Sequence, residues 1–332
     1  MNQFDPNKTY LVTGAAGFIG YHLSKRILEN GGTVVGYDNL NDYYDVNLKK
    51  YRLSFLEKFD KFTFVHADLA DKAAMDQVFE KYHPQIVINL AAQAGVRYSI
   101  EHPECYIQSN VVGFANILEC CRHNNVEHLV YASSSSVYGG NTKIPFSTTD
   151  QVDRPISLYA ATKKSNELMA YSYSKLYGMA TTGLRFFTVY GPMGRPDMAC
   201  YKFALKMIKG EPIQLYNGGD MWRDFTYVDD IVTGIYNILN NAPKPDDLDA
   251  RYKVYNIGNH KSEKLMDFVG ILEDKLGIVA KKELLPMQAG DVYKTYADVD
   301  DLIRDFDFRP NTTIEEGLDR FTKWFKEYHN VK

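Results

Sequence analysis

The sequence predicts an α/β fold in which a doubly wound parallel sheet carries helices on both faces, next to a smaller, interleaved C-terminal lobe. Through the first half of the 332 residues, short runs rich in β-branched residues alternate with longer stretches of three-to-four-residue apolar periodicity. Such alternation is typical of strands joined by crossover helices in a parallel sheet. After about residue 187 the pattern loosens, and glycine, proline and isolated aromatic residues become frequent.

The predicted elements follow one another along the chain. The expected strands are 10–12, 33–37, 62–65, 86–90, 128–131 and 181–186. The expected helices between them are 18–29, 71–82, 104–123 and 157–177.

The composition is that of an ordinary globular protein, with 24% charged and 45% hydrophobic residues and a net charge of −4. A chain with this weak negative charge is not expected to bind nucleic acid or an anionic membrane surface. Residues 1–8 lack the basic start and apolar run of a signal peptide, so we expect a cytoplasmic protein.

The cysteines favour neither a metal site nor a disulfide framework. They have no C-x-x-C spacing and no partnering histidine cluster, which zinc sites usually show. We expect no bound metal, and reduced, mostly buried thiols at Cys105, Cys120, Cys121 and Cys200.

A glycine-rich turn follows the first predicted strand. Residues 13–20 read T-G-A-A-G-F-I-G, with glycines spaced G-x-x-G-x-x-G at the start of a helix. Glycines there let the backbone approach a pyrophosphate, while the helix N-terminus supplies N–H groups. A structural turn would leave the same pattern, so the loop alone is weak evidence for a dinucleotide. Its expected contacts are Gly14, Ala16, Gly17, Phe18, Ile19 and Gly20.

The ends of the next strands carry the other expected cofactor contacts. Asp38 ends the second strand, where a carboxylate would accept hydrogen bonds from the adenosine ribose and repel a 2′-phosphate. NAD is therefore expected rather than NADP. Asp68 could reach the adenine edge or cap the following helix, and both interpretations stay open. Further contacts are expected at Asn39, Leu69, Leu90, Ala91, Ala92 and Phe186.

Tyr159 and Lys163 are four residues apart in a predicted helix, so their side chains share one face. An ammonium and a nicotinamide cation near a phenol both favour its ionised form, and both would lower its pKa toward neutrality. Four serines, 133–136, follow the fifth strand, at the edge where doubly wound sheets bind ligands. Their hydroxyl groups could bind a sugar alcohol. A surface helix pair and a serine-rich turn are the structural alternatives.

In combination, these features resemble the extended short-chain dehydrogenase/reductase family of nucleotide-sugar epimerases and dehydratases. The glycine loop, Asp38, the serine run and the pair Tyr159 and Lys163 match it in order and spacing over nearly the whole chain. The resemblance implies that Tyr159 is the catalytic acid and base, that Lys163 binds the nicotinamide ribose and that Ser134 binds the reacting hydroxyl.

The resemblance also implies how the chain is divided into domains and how it assembles. We expect an NAD-binding Rossmann domain over 1–187, to which about 225–258 returns, and a substrate-binding lobe over 188–224 and 259–332. Members of the family are usually homodimers, which implies that the helices at 104–123 and 157–177 from two copies form a four-helix bundle.

Residues 38–45 and 185–199 are similar to the corresponding stretches of UDP-glucuronate 4-epimerases. Arg195 follows a Gly-Pro turn in the second stretch, and a guanidinium offers a planar fork to a carboxylate. It is a candidate to hold the C6 carboxylate of a uronate, and the alternative is a surface ion pair. The hydroxyl groups expected to help are those of Ser135, Ser136 and Thr188.

Relatives that dehydrate or decarboxylate sugars usually carry acidic residues just before Val-Tyr-Gly. Ser135 and Ser136 occupy these positions here, which disfavours both reactions. The segment around Arg223 resembles the one whose arginine binds the substrate diphosphate. Gln288 and Asp291 lie where relatives contact the nucleotide, although the arginine usual before Gly-Asp is absent.

The resemblance therefore implies an enzyme that interconverts UDP-glucuronate and UDP-galacturonate through a 4-keto sugar with transient NADH. Two other activities stay open, a 4-epimerase of neutral UDP-hexoses and a UDP-glucuronate decarboxylase. A non-catalytic NAD-sensing regulator is the alternative from another class, and the presence of Tyr159 and Lys163 weighs against it.

Overall fold

The computed structural model describes residues 2–287 and 292–331. Its strands, in chain order, are β1 (Thr9–Thr13), β2 (Thr33–Asp38), β3 (Phe62–His66), β4 (Ile86–Asn89), β5 (His128–Ser134), β6 (Thr181–Phe186), β7 (Thr188–Tyr190), β8 (Ile213–Leu215), β9 (Trp222–Arg223), β10 (Phe225–Tyr227), β11 (Tyr252–Ile257), β12 (Glu263–Lys264) and β13 (Lys282–Leu284).

The helices lie between and after these strands. They are α1 (Phe18–Glu29), α2 (Val46–Leu56), α3 (Lys72–Tyr82), α4 (Tyr98–Glu101), α5 (Pro103–Tyr106), α6 (Gly113–His123), α7 (Leu158–Tyr177), α8 (Ala199–Ile208), α9 (Val228–Ile238), α10 (Leu265–Leu276), α11 (Asp300–Phe306) and α12 (Ile314–Tyr328). A π-helical segment, Ile107–Val112, joins α5 to α6, and 3₁₀ turns span Ser135–Tyr138 and Tyr216–Gly219.

Seven strands form one sheet in the order β11, β6, β5, β4, β1, β2, β3. All neighbouring pairs run parallel. Helices cover both faces, which explains why β1 and β4 are buried, nearly continuous apolar runs. The strand order reverses between β1 and β4, and open α/β sheets bind ligands beyond the carboxyl ends at such a point. The predicted doubly wound parallel sheet is confirmed, and each predicted strand is present.

The predicted helix over 104–123 is interrupted by the π-helical segment, which contains the buried Asn110. Its side chain accepts a hydrogen bond from the backbone N–H of Gln93 at 2.8 Å and donates to the carbonyl of Gln93 at 3.0 Å. The backbone carbonyl of Asn110 in turn accepts from the amide group of Asn166 on α7 at 2.6 Å. The segment therefore joins the loop after β4 to α7 through buried polar contacts.

Short two-stranded sheets make up the rest of the strand structure, pairing β7 with β10, β8 with β13, and β9 with β12. These elements pack on the main sheet through a shared hydrophobic cluster that includes Val12 of β1, Leu215 of β8 and Phe321 of α12. The division of the chain into an NAD-binding domain and a substrate lobe remains a prediction.

The four cysteines are free thiols, and Cys120, Cys121 and Cys200 are buried, as expected. Within residues 2–287 and 292–331, no helix combines the length and apolar character needed to cross a membrane.

A buried ion pair connects α7 to the main sheet. Arg185 of β6 donates from Nε and Nη2 to the two carboxylate oxygens of Glu167, at 2.8 and 2.9 Å. Ser133, at the end of β5, donates to the same carboxylate at 2.7 Å. The side chains of Glu167 and Arg185 are 1% and 4% exposed, so water does not screen the pair. These contacts fix α7 against the ends of two strands.

Glu167→Gln should lower the free energy of unfolding by about 3 kcal/mol, because it leaves the buried guanidinium without its charged partner. Urea denaturation measures this change. The control is Glu316→Gln, which breaks a pair with Arg320 whose side chains are about half exposed and should cost less than about 1 kcal/mol. Equal losses in the two variants would contradict the structural role of the buried pair.

Candidate active site

A cleft with a volume of about 380 Å³ opens beyond the carboxyl ends of β1, β2, β4, β5 and β6. This is the edge at which the sequence placed the ligands. Most of the predicted site residues line it, namely Gly14, Gly17, Phe18, Ile19, Gly20, Asp38, Asn39, Asp68, Leu69, Leu90, Ala91, Ala92, Ser134, Ser135, Ser136, Tyr159, Lys163, Phe186, Thr188 and Arg195.

The glycine loop is shaped by close backbone contacts. Gly14 has φ +71°, and a Cβ added there would lie 2.8 Å from the backbone nitrogen of Ala91. A Cβ on Gly20 would lie 2.0 Å from the carbonyl oxygen of Gly14. The glycines therefore let the backbone segments of the loop pack in direct contact with each other and with Ala91. The N-terminus of α1 lines the cleft. This arrangement fits a dinucleotide pyrophosphate.

Asp38 is 7% exposed and lies at the end of β2. Its carboxylate accepts from the backbone N–H of Ala16 at 3.2 Å and from that of Leu40 at 2.9 Å. These bonds hold the carboxylate at the cleft, where it fits a ribose diol. Ala16 does not line the cleft, since it is fully buried, and its backbone joins Asp38 to the loop. Its contact with the cofactor stays a prediction.

Asp68 does not cap the following helix, so that interpretation was wrong. Asp71 is the N-cap of α3, and its carboxylate accepts from the backbone N–H of Ala74 at 3.0 Å. The carboxylate of Asp68 accepts from the amide group of Asn39 at 2.6 Å and lines the cleft. This position is compatible with an adenine contact.

Tyr159 and Lys163 lie on one face of α7. The N-cap of this helix is Ser157, whose side chain accepts a hydrogen bond from the backbone N–H of Ala160. Lys163 is 3% exposed, and its ammonium donates to the carbonyl oxygen of Ala132 at 2.9 Å. Burial lowers the pKa of Lys163 to about 8. The helix thus brings a buried amine and a phenol to the end of β5.

The pKa of Tyr159 is set by a balance that differs from the sequence expectation. Burial raises this pKa above its usual value, and the hydrogen bond with Ser134 and the guanidinium of Arg195 lower it only in part. In the chain by itself the pKa is therefore not lowered toward neutrality, whereas the sequence had predicted that it would be. From the sequence, we expected Lys163 and the cofactor to lower the pKa of Tyr159. Among the groups of the chain itself, Ser134 and Arg195 lower it instead. Ser134 also accepts from the backbone N–H of Ser136 at 3.1 Å, which orients its hydroxyl group.

Arg195 lines the cleft, but its guanidinium is already paired. Its Nε and Nη2 donate to the two carboxylate oxygens of Asp197, at 3.0 and 2.5 Å. The hydroxyl group of Tyr43 donates to the same carboxylate at 3.3 Å. Asp197 and Tyr43 also line the cleft, and the sequence analysis singled out neither. Both lie in the two stretches that carried the resemblance, which is the signal that could have found them.

Two basic residues of α2 were also missed. Arg52 is fully buried and donates to the carbonyl oxygens of Ala16 at 2.8 Å and Met193 at 2.7 Å, which joins the glycine loop to the loop that carries Arg195. Lys49 is 5% exposed, lines the cleft and donates to the side-chain carbonyl of Asn41 at 2.8 Å. Burial lowers the pKa of Lys49. Helical periodicity alone does not distinguish such residues from surface cations.

One predicted substrate residue, Arg223, does not line the described part of the cleft. Arg223 lies on β9, and its guanidinium donates to the carbonyl oxygens of Trp222 at 2.8 Å and Tyr293 at 3.2 Å. Gln288 and Asp291 lie outside the described residues. The predicted roles of all three in nucleotide binding stay predictions.

Gly20→Ala should weaken NAD binding and lower the free energy of unfolding by at least about 2 kcal/mol, because the added methyl group overlaps a backbone carbonyl. Calorimetric titration with NAD and thermal unfolding measure the two effects. The control is Gly270→Ala in α10, where the described residues leave space for the methyl group, and it should keep full NAD affinity. Unchanged NAD affinity in Gly20→Ala would rule out the proposed pyrophosphate contact.

Comparison with known proteins gives the family. Residues 10–258 match the family described as NAD dependent epimerase/dehydratase family. The chain is 54% identical to Protein CapI of Staphylococcus aureus over 96% of this chain and 98% of that protein. It is 46% identical to a probable UDP-glucuronate 4-epimerase of Rhizobium meliloti, over 96% of this chain and 97% of that one.

The fold is likewise similar to that of solved structures. UDP-glucuronic acid 4-epimerase from Bacillus cereus, solved in complex with UDP-glucuronic acid and NAD, has a TM-score of 0.89 and 31% identity, covering 96% of this chain and 99% of that one. The predicted family is thereby confirmed, as is NAD as the cofactor. With this fold, this cleft and these matches, the chain belongs to the NAD-dependent epimerase/dehydratase family.

Proposed function

We propose that the chain is a UDP-glucuronate 4-epimerase, which interconverts UDP-glucuronate and UDP-galacturonate. One observation carries the proposal: the phenol of Tyr159 and the guanidinium of Arg195 face the same cleft, close enough for Arg195 to lower the pKa of Tyr159. A redox centre for a sugar hydroxyl and a cation for a sugar carboxylate are thus adjacent. The names of the Rhizobium and Bacillus proteins support the same substrate.

The first step oxidises the C4 alcohol by removing a hydride from C4 and a proton from its hydroxyl oxygen. Bound NAD would supply the hydride acceptor and, once reduced, the hydride donor of the return step. Tyr159 takes the proton of the C4 hydroxyl group as a phenolate, while Ser134 donates a hydrogen bond to the same oxygen. Lys163, anchored on the carbonyl of Ala132, would bind the nicotinamide ribose with its ammonium. The product is a 4-keto sugar.

The second half of the reaction inverts C4. The keto sugar turns so that its other face receives the hydrogen, and Tyr159 returns the proton to the oxygen. The reaction involves no net oxidation.

The carboxylate needs control because a 4-keto uronate is a β-keto acid. Such an acid loses CO₂ when its carboxylate bond aligns with the π system of the carbonyl group, and a fixed geometry prevents this alignment. Arg195, with the hydroxyl groups of Ser135, Ser136 and Thr188, would hold the carboxylate away from it. All four residues line the cleft.

We also propose a cytoplasmic homodimer. The helical stretch from α5 to α6 exposes Ile107 and Val112, and α7 exposes Leu168, Leu176 and Tyr177, which supports packing of these helices against a second copy. The molar mass in solution tests the dimer. The free cysteines support a reducing compartment.

The decisive experiment incubates the purified protein with NAD and UDP-glucuronate and identifies the products by NMR. We expect UDP-galacturonate without CO₂, and no comparable turnover of UDP-glucose. Tyr159→Phe should abolish turnover while still binding NAD, because only the proton-transferring group is removed. Normal turnover in Tyr159→Phe would refute the role of the phenol, and preferred turnover of UDP-glucose would refute the uronate.

Arg195→Ala should divert part of the 4-keto intermediate to a UDP-pentose and CO₂, because the carboxylate is no longer held out of alignment. NMR of the nucleotide sugars and CO₂ release measure this diversion. The control is Arg309→Ala, which removes an exposed arginine paired with Asp307 and should leave the product unchanged. A slower Arg195→Ala enzyme without any new product would contradict the proposed control of decarboxylation.

A further inference from the structure

The pairing of Arg195 with Asp197 decides how a uronate can be bound. A guanidinium binds a carboxylate most tightly through two parallel N–H groups. In the structure Nε and Nη2 of Arg195 already form such a pair with Asp197, which leaves the second edge, formed by Nη1 and the other N–H of Nη2, for another acceptor. A substrate carboxylate bound at this second edge therefore meets a guanidinium whose charge is already offset by a carboxylate.

The Asp197 carboxylate is built into this position. The hydroxyl group of Tyr43 donates to it, and the lack of a side chain at Gly95 gives that hydroxyl its space, since a Cβ there would lie 2.6 Å from it. Arg195 and the hydrogen bonds to Asp197 hold its pKa below the usual value despite burial, which raises it. Asp197 is therefore a carboxylate anion at neutral pH.

The pair also changes the electrostatic field at the reacting sugar. Arg195 lowers the pKa of Tyr159 and Asp197 raises it, so both charges act on the space around the phenol. Together they are neutral, and a uronate carboxylate placed there is attracted by Arg195 and repelled by Asp197. The side chains are 25% and 27% exposed, so the attraction is partly screened as well.

A weaker bond from Arg195 can still keep the carboxylate out of alignment, and it suits a reaction in which the sugar must turn. A bond from an arginine with no carboxylate partner would stabilise one orientation of the keto sugar and slow its rotation to the other. Interactions that stabilise a bound ground state without stabilising the following transition state lower KM and kcat together. On the proposed function, we therefore infer that Asp197 is a positioning residue that offsets the charge of Arg195, weakens its bond to the uronate carboxylate and so lets the uronate ring turn between the two half-reactions.

Asp197→Asn tests this inference, because it removes the charge and one of the two acceptors without changing the size of the side chain. The guanidinium without its charged partner should bind the uronate more tightly, and KM and kcat for UDP-glucuronate should both fall about threefold to tenfold, as expected for a gain equal to one ordinary hydrogen bond. Their ratio should stay nearly constant. The fraction of reduced cofactor during turnover, read from its near-ultraviolet absorbance, should rise as the keto sugar waits longer to turn.

The matched control is Asp307→Asn. Asp307 pairs with Arg309 at the same spacing of two residues, but both side chains are exposed, and the variant should leave both constants unchanged. UDP-glucose, used as a competitive inhibitor, has no carboxylate and should bind Asp197→Asn and the parent protein equally. Asp197→Ser removes the carboxylate in a second way and should shift both constants in the same direction, so a folding defect of one variant does not decide the outcome.

The effect of Asp197 on substrate binding can be measured in a variant that does not turn over the substrate. In a Tyr159→Phe background, adding Asp197→Asn should tighten UDP-glucuronate binding, measured by calorimetry, and leave UDP-glucose unaffected. A higher KM for UDP-glucuronate, a loss of its kcat/KM, weaker inhibition by UDP-glucose or unchanged constants would overturn the role of Asp197. Failure of the parent protein to form UDP-galacturonate would refute the proposed function instead, whatever Asp197 does to binding.

Discussion

The buried ion pair between Glu167 and Arg185 is the contact on which the geometry of the cleft depends. It joins α7, which carries Tyr159 and Lys163, to β6, and through Ser133 it also reaches the end of β5. A helix packed on a sheet by apolar contacts alone can slide, because those contacts have no direction. Hydrogen bonds to both carboxylate oxygens remove that freedom. The phenol therefore faces the serine hydroxyls at a fixed distance from them.

A second set of buried polar contacts positions the two loops of the cleft relative to each other. The guanidinium of Arg52 binds carbonyl oxygens of the glycine loop and of the loop that carries Arg195. The cofactor side and the substrate side of the cleft thus share one buried cation. Burying a charge is costly unless its hydrogen bonds are satisfied, and Arg52 donates to four oxygen-bearing groups. These hydrogen bonds offset the cost of burying the charge, and they hold the cofactor side and the substrate side of the cleft together.

The sequence was sufficient for the sheet, the crossover helices and most residues that line the cleft, because strand ends in a parallel sheet lie at one edge. It could not supply side-chain partners. Arg195 was foreseen as an anion-binding group, but its partner Asp197 depends on a loop conformation that no periodicity encodes. Asp68 was considered as a helix cap, but the observed cap is Asp71, because the apolar periodicity did not fix the residue at which α3 begins. The burial of Arg52 and Lys49 likewise depends on tertiary packing.

The shared hydrophobic cluster can be completed only late in the synthesis of the chain. The edge strand β11 arrives only at residues 252–257, and α12, which contributes Leu318, Phe321 and Phe325 to the cluster, follows still later. The rings of Tyr51 and Tyr328 meet at 4.9 Å across the length of the sequence. Contacts of such long range are slow to form and leave apolar surface exposed until they do. A ribosome-bound chain therefore carries an incomplete core until α12 has been synthesised, and until then chaperones can bind its exposed apolar surface.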